Sequence, residues 1–411
     1  MIIDAKQPSA GTIPAAYQTL SSFERSILHL ASIIYEAVNR ITFANCLRRA
    51  RITGPDGEWL TSATLSPYLK KLQDLELLDN DCRCPDELVE LVSRDAVATG
   101  NYRDMTEAVQ GEIPFSQYQA KGHQRCLRAM REYRIGLYSS DMVHMENMHL
   151  FLLKHCEDEV VKRFPAVRFC NNPFDDNWLR KLAPSLQFSI LGQMMNFSLH
   201  YLSLLEKPFS YLRSEETLWA IPAEERLPFH RLLADILLWR GNLPEVKKLM
   251  RENPESFVAS GMTGCIDFML GTNELALKQF SADLQRLKRI GARRRMFFPG
   301  IAGLLFILAL LKTGDISYFD RMRKFIDTVR TQQPGNMLLG AYEMVGHFLS
   351  AQEDGTVDLP LDSPVCSANS ITLLFTALLR FWLSGSLPAS TNEPAGHDAL
   401  RLLWSCLLYT S

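Results

Sequence analysis

The chain has 411 residues, 47% hydrophobic and 22% charged, the balance of an ordinary globular protein long enough for two or three domains. Its 44 Lys and Arg against 46 Asp and Glu leave a net charge of −2, which excludes nucleic-acid binding through overall charge and leaves only a local patch for that role. Nine cysteines, scattered apart from Cys82 and Cys84, and no charged start followed by an apolar run predict a reducing, cytoplasmic setting without a targeting segment.

Residues 1–20, with Pro8, Gly11 and Pro14, lack a periodic apolar pattern and are expected to form a flexible arm. Ser21-Ser22 gives an N-cap signal ahead of Phe23, Ile27, Leu30, Ile33 and Ile34 on one helical face. A second helix should follow Asn39, with Ile41, Ala44 and Leu47 inward and Arg48, Arg49 and Arg51 outward, up to the break at Gly54-Pro55-Asp56-Gly57. Thr61 or Ser62 caps a third helix striped by Leu65, Tyr68, Leu69, Leu72 and Leu75, and Pro67 predicts a first-turn position in a short helix. Three short helices closing on Leu77-Leu78 resemble a winged helix-turn-helix spanning 21–85, whose third helix would offer Ser66, Lys70 and Lys71 to a DNA major groove. Asp74, Glu76, Asp79 and Asp81 offset those cations, so a head used for protein contact or packing is the competing reading.

Cys82, Cys84, His123 and Cys126 are the right types for zinc, but their spacing is loose and buried cysteines are the plainer reading. Leu88, Val89, Leu91 and Val92 mark a helix between Asp86 and Asn101, and residues 124–220 are densely helical. Glu146 and His149 have the Glu-x-x-His spacing of di-iron bundles, yet that chemistry needs a second such helix, and none is found. They are expected to form a hydrogen-bonded pair, and Met194-Met195 to fill core. Asn171 to Asp176 reads as a loop.

Turn glycines at 241, 271 and 314 each separate an apolar helix from an amphipathic one, at spacings of 30 and 43 residues. Tetratricopeptide hairpins repeat near every 34 residues, and a hairpin of this kind buries its apolar face only by stacking on a neighbour. The expected fold is therefore all-α: a winged-helix-like head, then an irregular tetratricopeptide-like α-solenoid over 86–350. Phe297 to Leu311 carries no charge but falls short of the roughly 20 residues that span a bilayer, so a helix buried on all sides is expected. A linker and the start of a further helical segment should occupy 351–405. Cys406 to Ser411 match the translation of a transposon-end sequence used in library adapters, so the natural chain is expected to continue beyond Ser405.

No phosphate loop, dinucleotide fingerprint or nucleophile elbow occurs, and no Cys-His or Ser-His-Asp set stands out, so no catalytic residue, cofactor, metal or small-molecule substrate is assigned. One feature exceeds background. Between Lys278 and Arg330 twelve Lys and Arg face four Asp, a local excess of eight positive charges in a chain of net −2. Arg286, Lys288, Arg289, Arg293, Arg294 and Arg295 concentrate at one helix end and its loop, more than a helix dipole requires, and are the candidate contacts for nucleic acid or an acidic protein partner.

The order Ala276-Leu277-Lys278-Gln279-Phe280, Gly291-Ala292-Arg293-Arg294-Arg295, Phe297 to Phe306 and Leu308 to Leu311 resembles the long N-terminal extension of large bacterial Swi/Snf-type helicase-like ATPases. The resemblance is specific only over 270–315 and includes none of that family's motor motifs. It implies a non-catalytic accessory region ahead of a DNA-translocating ATPase. The alternative is a transcriptional regulator with a DNA-binding head and a helical sensor or partner-binding domain.

Overall fold

The computed structural model describes residues 14–354 except 117, 119–121, 157–159, 161–163, 202, 215, 216, 218, 219, 225, 292–295, 299 and 333–337, together with Thr372 and Leu379. Among the described residues all regular structure is helical, as the apolar periodicity predicts. The chain divides into two compact units, Met1–Leu191 and Gly192–Ser411, a division that falls inside the stretch 86–350 expected to form one scaffold.

The first unit opens with α1 (Ala15–Gln18), α2 (Ser22–Ile34), α3 (Arg40–Arg49) and α4 (Ser62–Asp74). Ser21, Asn39 and Thr61 each accept a backbone N–H three residues on, and Glu24 and Thr64 complete capping boxes at α2 and α4. Such a cap contributes about 1 kcal/mol. The expected arm ends earlier than residue 20, because α1 buries Tyr17, whose hydroxyl donates to Asp95 at 2.6 Å. Pro67 lies inside α4, past its first turn, and the helix continues to Asp74 instead of stopping short. The ring is exposed there, as is Ala63 one turn earlier, so solvent can satisfy the carbonyl left without a donor.

Then follow α5 (Val89–Ala98), α6 (Tyr102–Glu112), α7 (Gly122–Tyr138), α8 (Met142–His155), α9 (Pro165–Cys170), α10 (Asp176–Arg180) and α11 (Pro184–Tyr201), within which the boundary of the unit falls. The core of the unit is built on α7. Arg125, Arg128, Arg131 and Arg134 recur along it at every third position, and Arg131 and Arg134 are 0% and 1% exposed. Arg134 donates to Glu90 Oε1 at 3.0 Å, the Ser32 carbonyl at 2.7 Å and Ser93 Oγ at 2.8 Å. Arg131 donates to Glu132 Oε1 at 2.7 Å and to the Ile113 carbonyl at 2.7 Å. Arg128 pairs with Glu36 at 2.8 Å. A buried charge costs several kcal/mol unless paired in this way. At the far end of α7 a Cβ on Gly136 would stand 2.6 Å from the Met145 nitrogen, so only glycine lets α8 pass this close.

The second unit contains α12 (Glu206–Leu212), α13 (Arg226–Trp239), α14 (Leu243–Glu252), α15 (Met262–Met269), α16 (Asn273–Ile290), α17 (Ile301–Leu311), α18 (Phe319–Gln332) and α19 (Leu339–Asp354). Hairpins pair α13 with α14, α15 with α16 and α18 with α19, and α17 packs against α15 and α16. Gly241, Gly271 and Gly314 have φ of 69°, 79° and 66°, the left-handed conformation that ends a helix at least cost when the residue is glycine. At Gly241 the turn closes by bonds from Gly241 N–H to Leu238 O and from Asn242 N–H to Leu237 O, both 2.9 Å; Gly271 and Thr272 repeat the pair. Gly100 with Asn101, and Ser140 with Asp141, close α5–α6 and α7–α8 by the same two bonds. Residues 301–310 of α17 are all buried, and Phe280, Phe298, Phe306 and Phe325 gather around that helix. Among the described residues no helix is long and apolar enough to cross a membrane.

Candidate nucleic-acid interface

The basic patch starts from the helical stripe of α16. Ala276, Phe280 and Leu284 bury one face, which turns Lys278, Arg286 and Arg289 to solvent, with Lys288 half-buried. These last cations sit in the final turns, where the helix dipole favours positive charge. Arg286 has an acid at 3.8 Å, Asp283, which also accepts the Gly261 N–H at 3.1 Å. Among the described residues neither Lys288 nor Arg289 forms an ion pair. Beside them the exposed Ile290 ends the helix at 66% exposure. Arg293, Arg294 and Arg295 lie outside the described residues.

The arginines of α18 are engaged instead. On α18, Arg323 pairs with Glu353 and lies 3.6 Å from Asp320, while Arg330 pairs with Asp327 at 3.0 Å and Glu343 at 3.8 Å. Arg321 lies over the Phe306 and Phe325 rings at 5.5 and 5.4 Å. Lys288 and Arg289 stand together at the end of α16, while the exposed Lys278 and Lys324 are single cations elsewhere on α16 and α18.

The head gives a different result. Ser66 accepts a 2.6 Å bond from Arg40, and Lys71 Nζ donates to Glu24 Oε1 at 2.6 Å. Burial works to raise the Glu24 carboxyl, but the hydrogen bonds from Lys71 and Ser21 outweigh it and hold the group below its ordinary range. Arg49 pairs with Glu112 at 2.8 Å and Arg48 with Asn45 at 2.6 Å. Lys70 is exposed on α4. The connection 50–61 between α3 and α4 exceeds the three or four residues usual in a helix-turn-helix. After α4 a tight turn closes by the Asp79 N–H to Arg83 O bond at 2.8 Å, with no strand pair among the described residues.

Other candidate chemistry is occupied internally. A groove of about 570 Å³ lies along α6 and the α7–α8 turn. Several of its polar groups are engaged: Arg103 with Glu107 at 3.2 Å, and both Gln110 and His144 with the buried Glu132 behind the lining, at 2.6 and 3.2 Å. His144 is raised by its hydrogen bond to Glu132. Glu146 and His149 do not bond to each other as expected: Glu146 lies 3.3 Å from Ser189 Oγ, and His149 packs against Tyr133 and Phe164. Burial there pushes the His149 imidazole down to about 4. Cys82 and Cys84 are buried free thiols, whereas Cys126 is bonded to Cys156, so these residues do not assemble as a metal set. That disulfide departs from the expectation of unpaired, reduced cysteines; the partners are 30 residues apart in sequence, and nothing in the local spacing signals the pairing. The buried arginine series of α7 is likewise absent from the sequence expectations, although its three-residue recurrence is a visible signal. No family model, curated protein or solved structure matches the chain.

Proposed function

We propose that the protein is a non-catalytic helical interaction scaffold that engages an anionic partner, duplex DNA in the first instance, through the end of α16. One observation carries this reading: Arg128, Arg131 and Arg134 of α7, Arg323 and Arg330 of α18 and Lys71 of the head meet carboxylates, whereas the neighbours Lys288 and Arg289 form no ion pair among the described residues. Repeated two-residue turns at Gly100 and Ser140 in the first unit and at Gly241 and Gly271 in the second support an irregular tetratricopeptide-like scaffold. Placement of this scaffold ahead of a DNA-translocating ATPase in the cytoplasm rests on the resemblance over residues 270–315. The regulator alternative asks the winged-helix-like head to bind DNA, and the engagement of Ser66 by Arg40 and of Lys71 by Glu24 weighs against it.

Changing Arg286, Lys288 and Arg289 together to Gln tests the reading. Each lost phosphate contact should flatten the dependence of log affinity on log salt by about 0.9, up to nearly three for all three. Fluorescence anisotropy with a labelled duplex across a salt series measures this, with melting temperature as the control for folding. Unchanged affinity and slope would overturn the proposal. Tight, sequence-selective binding by residues 1–90 alone would favour the regulator.

A further inference from the structure

We propose that Cys126 and Cys156 form a reversible thiol–disulfide clasp that governs whether the C-terminal half of α8 stays closed on α7. The two helices form a hairpin joined at Ser140, so the start of α7 and the end of α8 meet at its open end. Cys126 lies near that start, and Cys156 is the residue that caps α8, with their Cα atoms 5.7 Å apart. The bond thus ties the open end of the hairpin, opposite the turn at Ser140.

The two helices differ in what else holds them. Eleven residues of α7 are buried, but only Met145 and Leu152 of α8. Val143, Leu150 and Leu153 are 67%, 63% and 41% exposed, so much of the apolar surface of α8 contributes nothing to its docking. A covalent tie at the end of such a helix has a large effect on local opening and little on the buried ion network around Arg134. Cys126 and Cys156 are buried like the other described cysteines, so an external thiol reaches their bond only as the end of α8 opens; Cys46, Cys82, Cys84, Cys170 and Cys265 are buried and have no disulfide partner. Burial raises every one of those thiols, to about 12 for Cys46 and Cys170, which suppresses the nucleophilic thiolate. Among the described residues, two-electron thiol chemistry is therefore confined to one pair.

The exchange is balanced with a thiol of the glutathione class. A first thiolate attacks one sulfur, giving a mixed disulfide and releasing the other cysteine as thiolate. A second small thiolate then attacks the small-molecule sulfur of the mixed disulfide and displaces the cysteine still bonded there, so that two small thiols become one small disulfide and two protein thiols form. The reverse closes the clasp. Opening would expose the inner edge of α8, including Leu152, next to the apolar residues already at the surface.

Hydrogen–deuterium exchange on the full chain, equilibrated with glutathione disulfide or with reduced glutathione, tests this. A linked Cys126–Cys156 peptide is expected in the oxidised sample. Reduction should speed exchange over residues 148–156 by about tenfold or more, leave α2 and α5 unchanged, and be reversed by reoxidation. The paired change Cys126→Ser with Cys156→Ser should match the reduced protein under both conditions; if that variant fails to fold, the reduced natural chain supplies the same measurement. Absence of the linked peptide, identical exchange in both states, or loss of protection throughout the unit on reduction would each overturn the proposal.

Discussion

Asp235 on α13 should make the second unit less stable as pH rises through the weakly acidic range. Its Oδ2 lies 3.4 Å from the place a Cβ would take on Gly300, and the side chain is enclosed near Cys265. Burial raises its carboxyl from an ordinary value of 3.8 to about 7, with Arg231 opposing the rise. Between those values the folded chain holds a proton that the unfolded chain releases. Stability is then fully present below about pH 4, declines as pH rises, and stays reduced above about 7. A rise from 3.8 to about 7, at about 1.36 kcal/mol per pH unit, gives a ceiling of roughly 4 kcal/mol. Asp235 keeps some accessible surface, which lets water share the charge and brings the expected effect to about 2 kcal/mol. Asp235→Asn retains the shape of the neutral acid and removes the titration. Urea unfolding of both proteins from about pH 4.5 to 8.5 should show the variant gaining about 2 kcal/mol over the natural chain across that range. A difference that does not change with pH would show a carboxyl that ionises normally, and the reasoning would fail.

His149 should act with the opposite slope: buried neutral with its imidazole pushed down to about 4, it supports stability above pH 6.5 and loses that support as pH falls toward 4. His149→Phe should lower the acid-unfolding midpoint of the first unit, and an unchanged midpoint would count against the burial argument. Arg134→Leu should cost about 3–5 kcal/mol by stranding Glu90, and adding Glu90→Leu should recover part of it; thermal unfolding would decide, and a neutral single variant would refute the network.

Local chemistry makes much of the helical pattern legible in the sequence. Ser21, Asn39 and Thr61 carry side chains that bond to their own helix starts, so they mark α2, α3 and α4 without help from distant residues. Gly241, Gly271 and Gly314 mark helix ends because a left-handed residue is cheapest as glycine, whereas Ser140 and Glu76 adopt the same conformation without that signature and leave no signal in the sequence. The charge excess near α16 is equally plain, yet its display is not. Whether an arginine faces solvent or a carboxylate depends on partners far along the chain: Arg134 meets Glu90, and Arg323 meets Glu353. The spacing along α7 shows the arginines but not their burial, and only the packing of Glu36 and Glu90 from other segments against it makes it core. The same holds for Cys126 and Cys156, which the turn at Ser140 brings together across 30 residues. Capping and turn preferences are decided within a few residues and can be read from sequence; pairing of charges and thiols depends on distance in space, which tertiary structure alone sets.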